Sequence, residues 1–333
     1  MIKAVYSIGG KFTTEYKASR ISEDYKKKPD IMWIDIHLEN HELGQEETLL
    51  LSELFKFHEM SIEDCLFPQY HPKVEEFENY VFVAVHGIQL KPNYFQEFKD
   101  SIYELNIFVG RGFVITVHVE ELFFLETLFE KARIRPQVEM GSLENLLYNI
   151  FNKVVSSYEF TLEKIDDKME NLEDDVLEEP EAKNMEEILN IKKVIFAMRK
   201  VAEYQQSAYV YFNFIRASNS NLISKEYLVY FRDIYTQCVR VNQSMVMRSQ
   251  MVVSLLEVYM SSVTLRLTEV MKFLTVIATV LMPVLIISGY YGMNMRFPEY
   301  SIFGEKNLWV FAICLMLISM VVMLVYFKKK KWF

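Results

Sequence analysis

Five residues near the C-terminal end, Tyr290-Tyr291-Gly292-Met293-Asn294, lie between two uncharged apolar runs, and their position says most about what this chain can do. The first run extends from Phe273 to Tyr290 and the second from Leu308 to Phe327. Each is about long enough to cross a hydrocarbon core as a helix rising ~1.5 Å per residue. Lipid offers no partner to a backbone N–H or C=O, so both runs are expected to be helical. The short connection between them is then a candidate pore mouth, where backbone carbonyls and the Asn294 amide could meet an ion.

Other reactive chemistry is thinly represented. Six histidines, at positions 37, 41, 58, 71, 86 and 118, have no H-E-x-x-H or C-x-x-C beside them. The pair His37 and His41 falls on a strand-to-loop stretch and reads as surface histidine. Cys65, Cys238 and Cys314 lie far apart, so neither a disulfide framework nor a thiolate metal site is expected. No serine or cysteine occupies a nucleophile elbow, and no carboxylate pair stands out. Ten glycines in 333 residues form neither of the two common nucleotide loops. An enzyme, an organic cofactor and a nucleic-acid partner are therefore not expected. The first ten residues lack the apolar core of a secretory signal.

Stepping upstream, the text from Lys3 to about Val119 alternates strand-like and helical segments, the pattern of an α/β domain. Strands are predicted over Lys3 to Ile8, Ile31 to Ile36, Tyr80 to Leu90, Ile102 to Val109 and Phe113 to Val119. Gly110-Arg111-Gly112 should turn the last two into a hairpin. A helix is predicted over Glu47 to Phe57, and Ser61 with Asp64 reads as the capped start of another. Helices then take over: Glu121 to Arg133, Leu143 to about Leu177, and Met185 to Ile215. Glu178-Glu179-Pro180-Glu181 breaks the last two into an antiparallel hairpin. Between Glu163 and Glu187 there are twelve acids against three lysines, so the hairpin tip carries −9, equal to the formal charge of the whole chain. That is a solvated end, or one that faces cations or the terminal lysines.

From Lys225 no proline interrupts a helical pattern until Pro283. Such a helix would be on the order of 85 Å long. Met245, Val252, Leu255, Leu256, Tyr259, Val263, Leu267 and Val270 repeat along it at three- and four-residue spacing, as expected of helices packed around an axis in an oligomer. Continued into the membrane, the stripe reads Thr268, Met271, Leu274 or Thr275, Ala278, Met282, Leu285 and Gly289. It contains no ring of charge. It either lines a pore with hydrophobic constrictions or packs against lipid and protein. Lys328-Lys329-Lys330-Lys331 follows the second run directly, which puts both termini in the cytosol by the positive-inside rule and provides a basic ring or headgroup anchor.

Three stretches together resemble the CorA family of magnesium channels. They are Thr275 to Pro283, then Tyr291-Gly292-Met293-Asn294, then Tyr326 through Phe333. Upstream, Glu63-Asp64-Cys65, Pro72-Lys73-Val74-Glu75, Phe77 to Phe82 and Tyr230-Phe231-Arg232-Asp233 are similar to the same family. The resemblance implies a homopentameric funnel in an inner membrane, with an α/β cytosolic N-terminal domain, long helices and two C-terminal transmembrane helices. It divides the chain into an α/β domain (1–135), an acidic-tipped hairpin (136–224), a stalk (225–272), a pore-lining span (273–291), an external loop (292–307), an outer span (308–327) and a basic tail (328–333).

The resemblance also implies transported and regulatory Mg²⁺, with Co²⁺ or Ni²⁺ as further cargo. Gly292, Met293 and Asn294 would form the selectivity ring. A neutral, strongly dipolar amide suits an ion that gives up water reluctantly. Closure would follow from Mg²⁺ bound between subunits by Glu63 or Asp64 and Glu257, with Asp233 as a secondary candidate. Three positions depart from the family pattern: Thr268 where an asparagine is frequent, Leu285 in place of a threonine, and Glu257 in place of an aspartate. A zinc transporter of the related ZntB group is the neighbouring expectation. A non-conducting, membrane-anchored coiled-coil scaffold is the expectation from another class.

Overall fold

A strand that is apolar on both faces must be covered on both, and Tyr80–Ile88 is buried along its whole length. The computed structural model describes residues 1–39, 41–67, 71–218, 228–293, 307–330 and 332, with the side chains of 211–218 and 228 outside that description. The chain divides into two units, Met1–Asp175 with Glu181–Leu256, and Val176–Pro180 with Glu257–Phe333.

The first unit holds a seven-stranded sheet. Its strands are β1 (Ile2–Ile8), β2 (Lys11–Glu15), β3 (Ile31–His37), β4 (Lys73–Glu76), β5 (Tyr80–Ile88), β6 (Ile102–Gly110) and β7 (Phe113–His118), in the order β2-β1-β3-β7-β6-β5-β4. β3 and β7 run parallel, and the other neighbours are antiparallel. The hairpin at Gly110-Arg111-Gly112 forms as predicted, with Gly112 at φ +79°. β2 and β4 escape sequence reading because both are short, polar edge strands, the usual way of discouraging edge-to-edge association.

One sheet face is covered by α1 (Ala18–Tyr25), α2 (Gln45–Thr48), a wide-turn π segment (Leu49–Leu54) and α3 (Glu59–Leu66). The helix predicted over Glu47 to Phe57 is thus split. Phe55 N–H reaches back five residues to Leu50 O, and both Leu50 and Leu51 are buried. The predicted helix start at Ser61 is also corrected. α3 begins at Glu59, and its cap is His58, whose Nδ1 accepts from Met60 N–H at 3.2 Å. Ser61 is fully buried inside the helix, with its hydroxyl 3.3 Å from that of Tyr80. The other face receives α4 (Phe123–Ile134), where Phe129 packs on Trp33 with ring centroids 5.6 Å apart.

Past α5 (Pro136–Glu139), the helices α6 (Leu143–Glu178) and α7 (Ala182–Ser218) form the predicted hairpin. Its apolar seam runs through Ile165, Met169 and Leu172 of α6 and Ile188, Ile191 and Val194 of α7. Lys168 pairs with Glu187 across it and holds that carboxyl below its ordinary range. The same helices finish the sheet. β4 pairs with β5 only as far as Ala84, and beyond it Gln205 Oε1 accepts from His86 N–H at 3.0 Å. Tyr158 donates to His86 O at 2.8 Å, and Ser157 Oγ accepts from Ile88 N–H at 2.9 Å. Side chains of α6 and α7 therefore stand in for a missing strand and partner the His86 N–H, the His86 carbonyl and the Ile88 N–H.

α8 (Leu228–Tyr291) is a single helix of 64 residues, with Pro283 inside it. Its predicted beginning at Lys225-Glu226 lies outside the described residues. Within the first unit it docks through Arg248, which pairs with Asp166 of α6, and through Asn242, whose amide donates to Gln206 Oε1 at 2.6 Å. Met245, Val252 and Leu255 are buried within this chain. That part of the stripe assigned to oligomer packing is thus occupied by the chain's own hairpin, whereas Leu267 and Val270 further on are exposed.

Candidate functional site

The second unit contains the end of α8 and α9 (Leu308–Lys329). Their apolar windows have mean hydropathy 2.4 and 2.9, and both helices are long and apolar enough to cross a membrane. Val276 and Val280 of α8 are buried against Phe327, Met320 and Met323 of α9. Lys272, which precedes the first span, lies 5.8 Å from the ring of Trp332, which follows the second. The two spans are therefore antiparallel neighbours whose basic ends share one side.

The contact with α9 gives α8 an orientation. At ~100° per residue, the proposed pore stripe sits roughly 180° round the helix from Val276 and Val280. All its members, Thr268, Met271, Leu274, Thr275, Ala278, Met282, Leu285 and Gly289, are exposed in the single chain. The threonines along this part of α8 satisfy themselves. Thr264, Thr268, Thr275 and Thr279 each donate the hydroxyl hydrogen to the carbonyl four residues back at 2.7 or 2.8 Å. The proton is thereby fixed inward and the oxygen lone pairs are left as acceptors, which suits them to the hydrogens of an ion's water shell. Pro283 has no N–H to return to the Thr279 carbonyl, the usual cause of local helix weakening.

α8 ends at Tyr291, just before Gly292 and Met293. Gly292 N–H donates to Ser288 O at 2.9 Å and Met293 N–H to Tyr290 O at 3.2 Å, closing the last turn. A Cβ on Gly292 would stand 2.8 Å from Ser288 O, a backbone atom that cannot swing aside. Gly292 and Met293 are exposed, and Asn294 lies outside the described residues. Lys328, Lys329 and Lys330 are exposed at the other end, and Lys331 lies outside the description.

The four acids assigned to regulation lie on two helices, Glu63 and Asp64 on α3 and Asp233 and Glu257 on α8. Glu63 is exposed on α3, and its neighbour Asp64 is buried and ion-paired to Lys73. Burial opposes the charge on that ammonium, but Asp64 and Glu75 more than reverse the effect and hold its pKa above the ordinary lysine value. Asp233 accepts from the Gln237 amide at 2.8 Å, and Glu257 is exposed on α8. Among the described residues, no three His, Cys, Asp or Glu side chains of one chain gather where they could hold a metal ion. At the hairpin tip, Glu179 pairs with Arg266 of α8 at 2.5 Å. Sequence spacing did not reveal that partner, because 87 residues separate the two.

The chain's likeness to known proteins runs nearly end to end. A family model described as CorA-like Mg²⁺ transporter protein matches residues 29–329. The cobalt/magnesium transport protein CorA of Thermotoga maritima is 32% identical over 294 residues, covering 85% of this chain and 78% of that one. The complete structure of the CorA magnesium transporter from Methanocaldococcus jannaschii superposes with a TM-score of 0.77 at 20% identity, covering 100% of this chain and 99% of that one. The ZntB cytoplasmic domain from Vibrio parahaemolyticus gives a TM-score of 0.61 at 13% identity over 78% of this chain and 96% of that one. At those identities, the two structural likenesses speak to fold.

Proposed function

This chain belongs to the CorA family of Mg²⁺ transporters, and from that membership we propose that it is a homopentameric channel carrying Mg²⁺ into the cytosol, with both termini on the cytosolic side of the inner membrane. The observation that carries the proposal is the exposed, uncharged stripe of α8, facing away from α9 and ending at Gly292. Five such faces around an axis would enclose a conduit of threonine oxygens and apolar rings. Apolar rings at Met282 and Leu285 gate by dewetting, so Mg²⁺ passes with its water shell when they are wide enough to stay wet. Gly292, Met293 and Asn294 form the outer ring, where five neutral amides accept from the bound water of the ion. Co²⁺, named for the T. maritima relative, and Ni²⁺ are further cargo on the same chemistry.

Liposome flux of Mg²⁺ and Zn²⁺ through the wild type and Asn294→Ala tests this reading. Wild-type Mg²⁺ flux is expected to fall on the order of tenfold in the variant, equivalent to about 1.4 kcal/mol of lost stabilisation per conducting event. Equal Mg²⁺ flux in both would remove the selectivity ring. Zn²⁺ flux exceeding Mg²⁺ flux in the wild type would make the cargo zinc, and no flux in either would leave a scaffold.

Regulation follows the same logic. In this reading the regulatory Mg²⁺ sits between subunits, as membership of the family suggests. Glu63 and Glu257, exposed and in no ion pair among the described residues, are better placed to lose repulsion on binding it than Asp64, which Lys73 already neutralises, or Asp233, which holds Gln237. Mg²⁺ closes the channel to the extent that it prefers the closed arrangement. Glu257→Ala is expected to raise the cytosolic Mg²⁺ needed for half-inhibition by roughly fivefold or more, the lower end of typical coupling energies. Unchanged inhibition in a flux titration would strike Glu257 from the sensor.

A further inference from the structure

On the face of the sheet that carries α3, toward the end of β6, a cavity of about 500 Å³ opens between β6, α3 and α7. It lies wholly in the first unit. Its size is that of a small-molecule pocket. Its rim carries Lys99 and Lys200, both exposed and in no ion pair among the described residues, while the rim acid Glu120 is already paired with Lys91 at 3.0 Å. An anion approaching the rim therefore meets two uncommitted cations.

The floor has the opposite character. Glu104 and Asn106, on β6, are both more than nine-tenths buried. The Asn106 amide donates to Glu104 Oε1 at 2.9 Å, which points its own oxygen elsewhere. Glu104 Oε2 and Asn106 Oδ1 then accept no hydrogen bond. His86 Nε2 stands 3.2 Å from Glu104 Oε2, without hydrogen-bond alignment. Both acceptor atoms are covered in this conformation, although the residues that carry them line the cavity. Cys65 reports the resulting field: burial, and then the Glu104 and Asp64 carboxylates, drive its thiol well above the ordinary range. A buried acceptor pair without donors, in the wall of a ligand-sized space, is unusual in a native protein.

We propose that this cavity binds a mononucleotide, with N–H donors of the base turned to Glu104 and Asn106 and the phosphate held at the rim by Lys99 and Lys200. A lone phosphate would leave the floor acceptors unanswered, and a free amino acid would leave most of the space empty. Guanine fits better than adenine. Its N1–H and N2–H are adjacent donors, whereas adenine sets its amino group beside a ring acceptor.

The test is calorimetric titration of the full-length protein in detergent with GMP, AMP, guanosine and inorganic phosphate as the probes. GMP is expected to bind more tightly than AMP, guanosine or phosphate. The double variant Lys99→Ala/Lys200→Ala is expected to weaken GMP by roughly tenfold or more, about 1.4 kcal/mol per tenfold. Both lysines are exposed, so its melting temperature should match the wild type. Glu104→Gln should weaken GMP and leave phosphate unchanged. The proposal is overturned if the wild type binds no GMP, if phosphate alone binds as tightly, or if a folded lysine variant keeps full GMP affinity. Because the readout is binding to the first unit, these outcomes do not depend on the channel conducting.

Discussion

Gly292→Ala is expected to reduce Mg²⁺ flux in liposomes on the order of tenfold or more while leaving the mass of the assembly in detergent unchanged. The reason is local. The last turn of α8 closes by the 2.9 Å bond from Gly292 N–H to Ser288 O, and a methyl group on Gly292 would stand 2.8 Å from that oxygen. Real Cβ atoms do not approach backbone so closely, so the turn must open and the residues after it must leave their direction. That turn fixes how the chain reaches Met293, and the proposed ring depends on five copies of the turn being alike. Gly289→Ala is the contrasting variant. A Cβ there meets nothing within 4 Å, and alanine is the better helix former, so its melting temperature should be no lower than the wild type's. Wild-type flux through Gly292→Ala would show that the loop is not positioned by this turn.

The second large effect is expected in the cytosolic unit, at Phe57. This ring stacks on Phe108 with centroids 4.1 Å apart, meets Tyr80 at 4.6 Å and stacks on Phe55 at 5.5 Å. Phe57→Ala should cost about 3–5 kcal/mol, the range for emptying a buried aromatic site. The cost extends beyond packing. Phe57 is directly followed by His58, the cap of α3, and α3 carries Glu63 and Asp64. Loosening the ring should therefore loosen the helix that presents these acids, and the cytosolic Mg²⁺ needed for inhibition should rise together with the loss of thermal stability. Thermal unfolding of the full-length variant and of Phe57→Leu, which keeps part of the volume, measures the first effect, and inhibition titrations measure the second. A melting temperature unchanged in Phe57→Ala would contradict the packing account. Destabilisation with normal inhibition would separate α3 from the sensor.

Elements with a strong repeating signal were readable before any coordinates. The central strands are apolar on both faces, and the helices α6 and α7 alternate at helical spacing, so burial and period point to the same assignment. The two spans needed only their lack of charge. What failed were segments whose side chains serve a tertiary partner. Ser61 has the chemistry of a helix cap but turns to Tyr80, leaving the cap to His58, a residue type seldom read that way. β2 and β4 are polar because they are edges, and only the adjacent strand makes them strands. Of the histidine pair read as surface residues, His41 is exposed, whereas His37 is half-buried and stacks on His118 with centroids 5.2 Å apart.

By itself, the sequence determined that two uncharged helices enclose a short Tyr-Gly-Met-Asn loop, that a basic cluster follows them, and that a long helix leads into the first. Those are one-dimensional properties: lipid exposure, charge and period act on each segment separately. The tertiary structure decided which side of that helix is free. Val276 and Val280 turn to α9, so the face with Thr275, Ala278, Met282 and Leu285 is left open. It also decided that Met245, Val252 and Leu255 belong to the chain's own core, that Lys73 neutralises Asp64, and that Glu179 meets Arg266. Each of these is a choice among partners of similar chemistry at distant positions, and only the folded geometry brings one of them within reach.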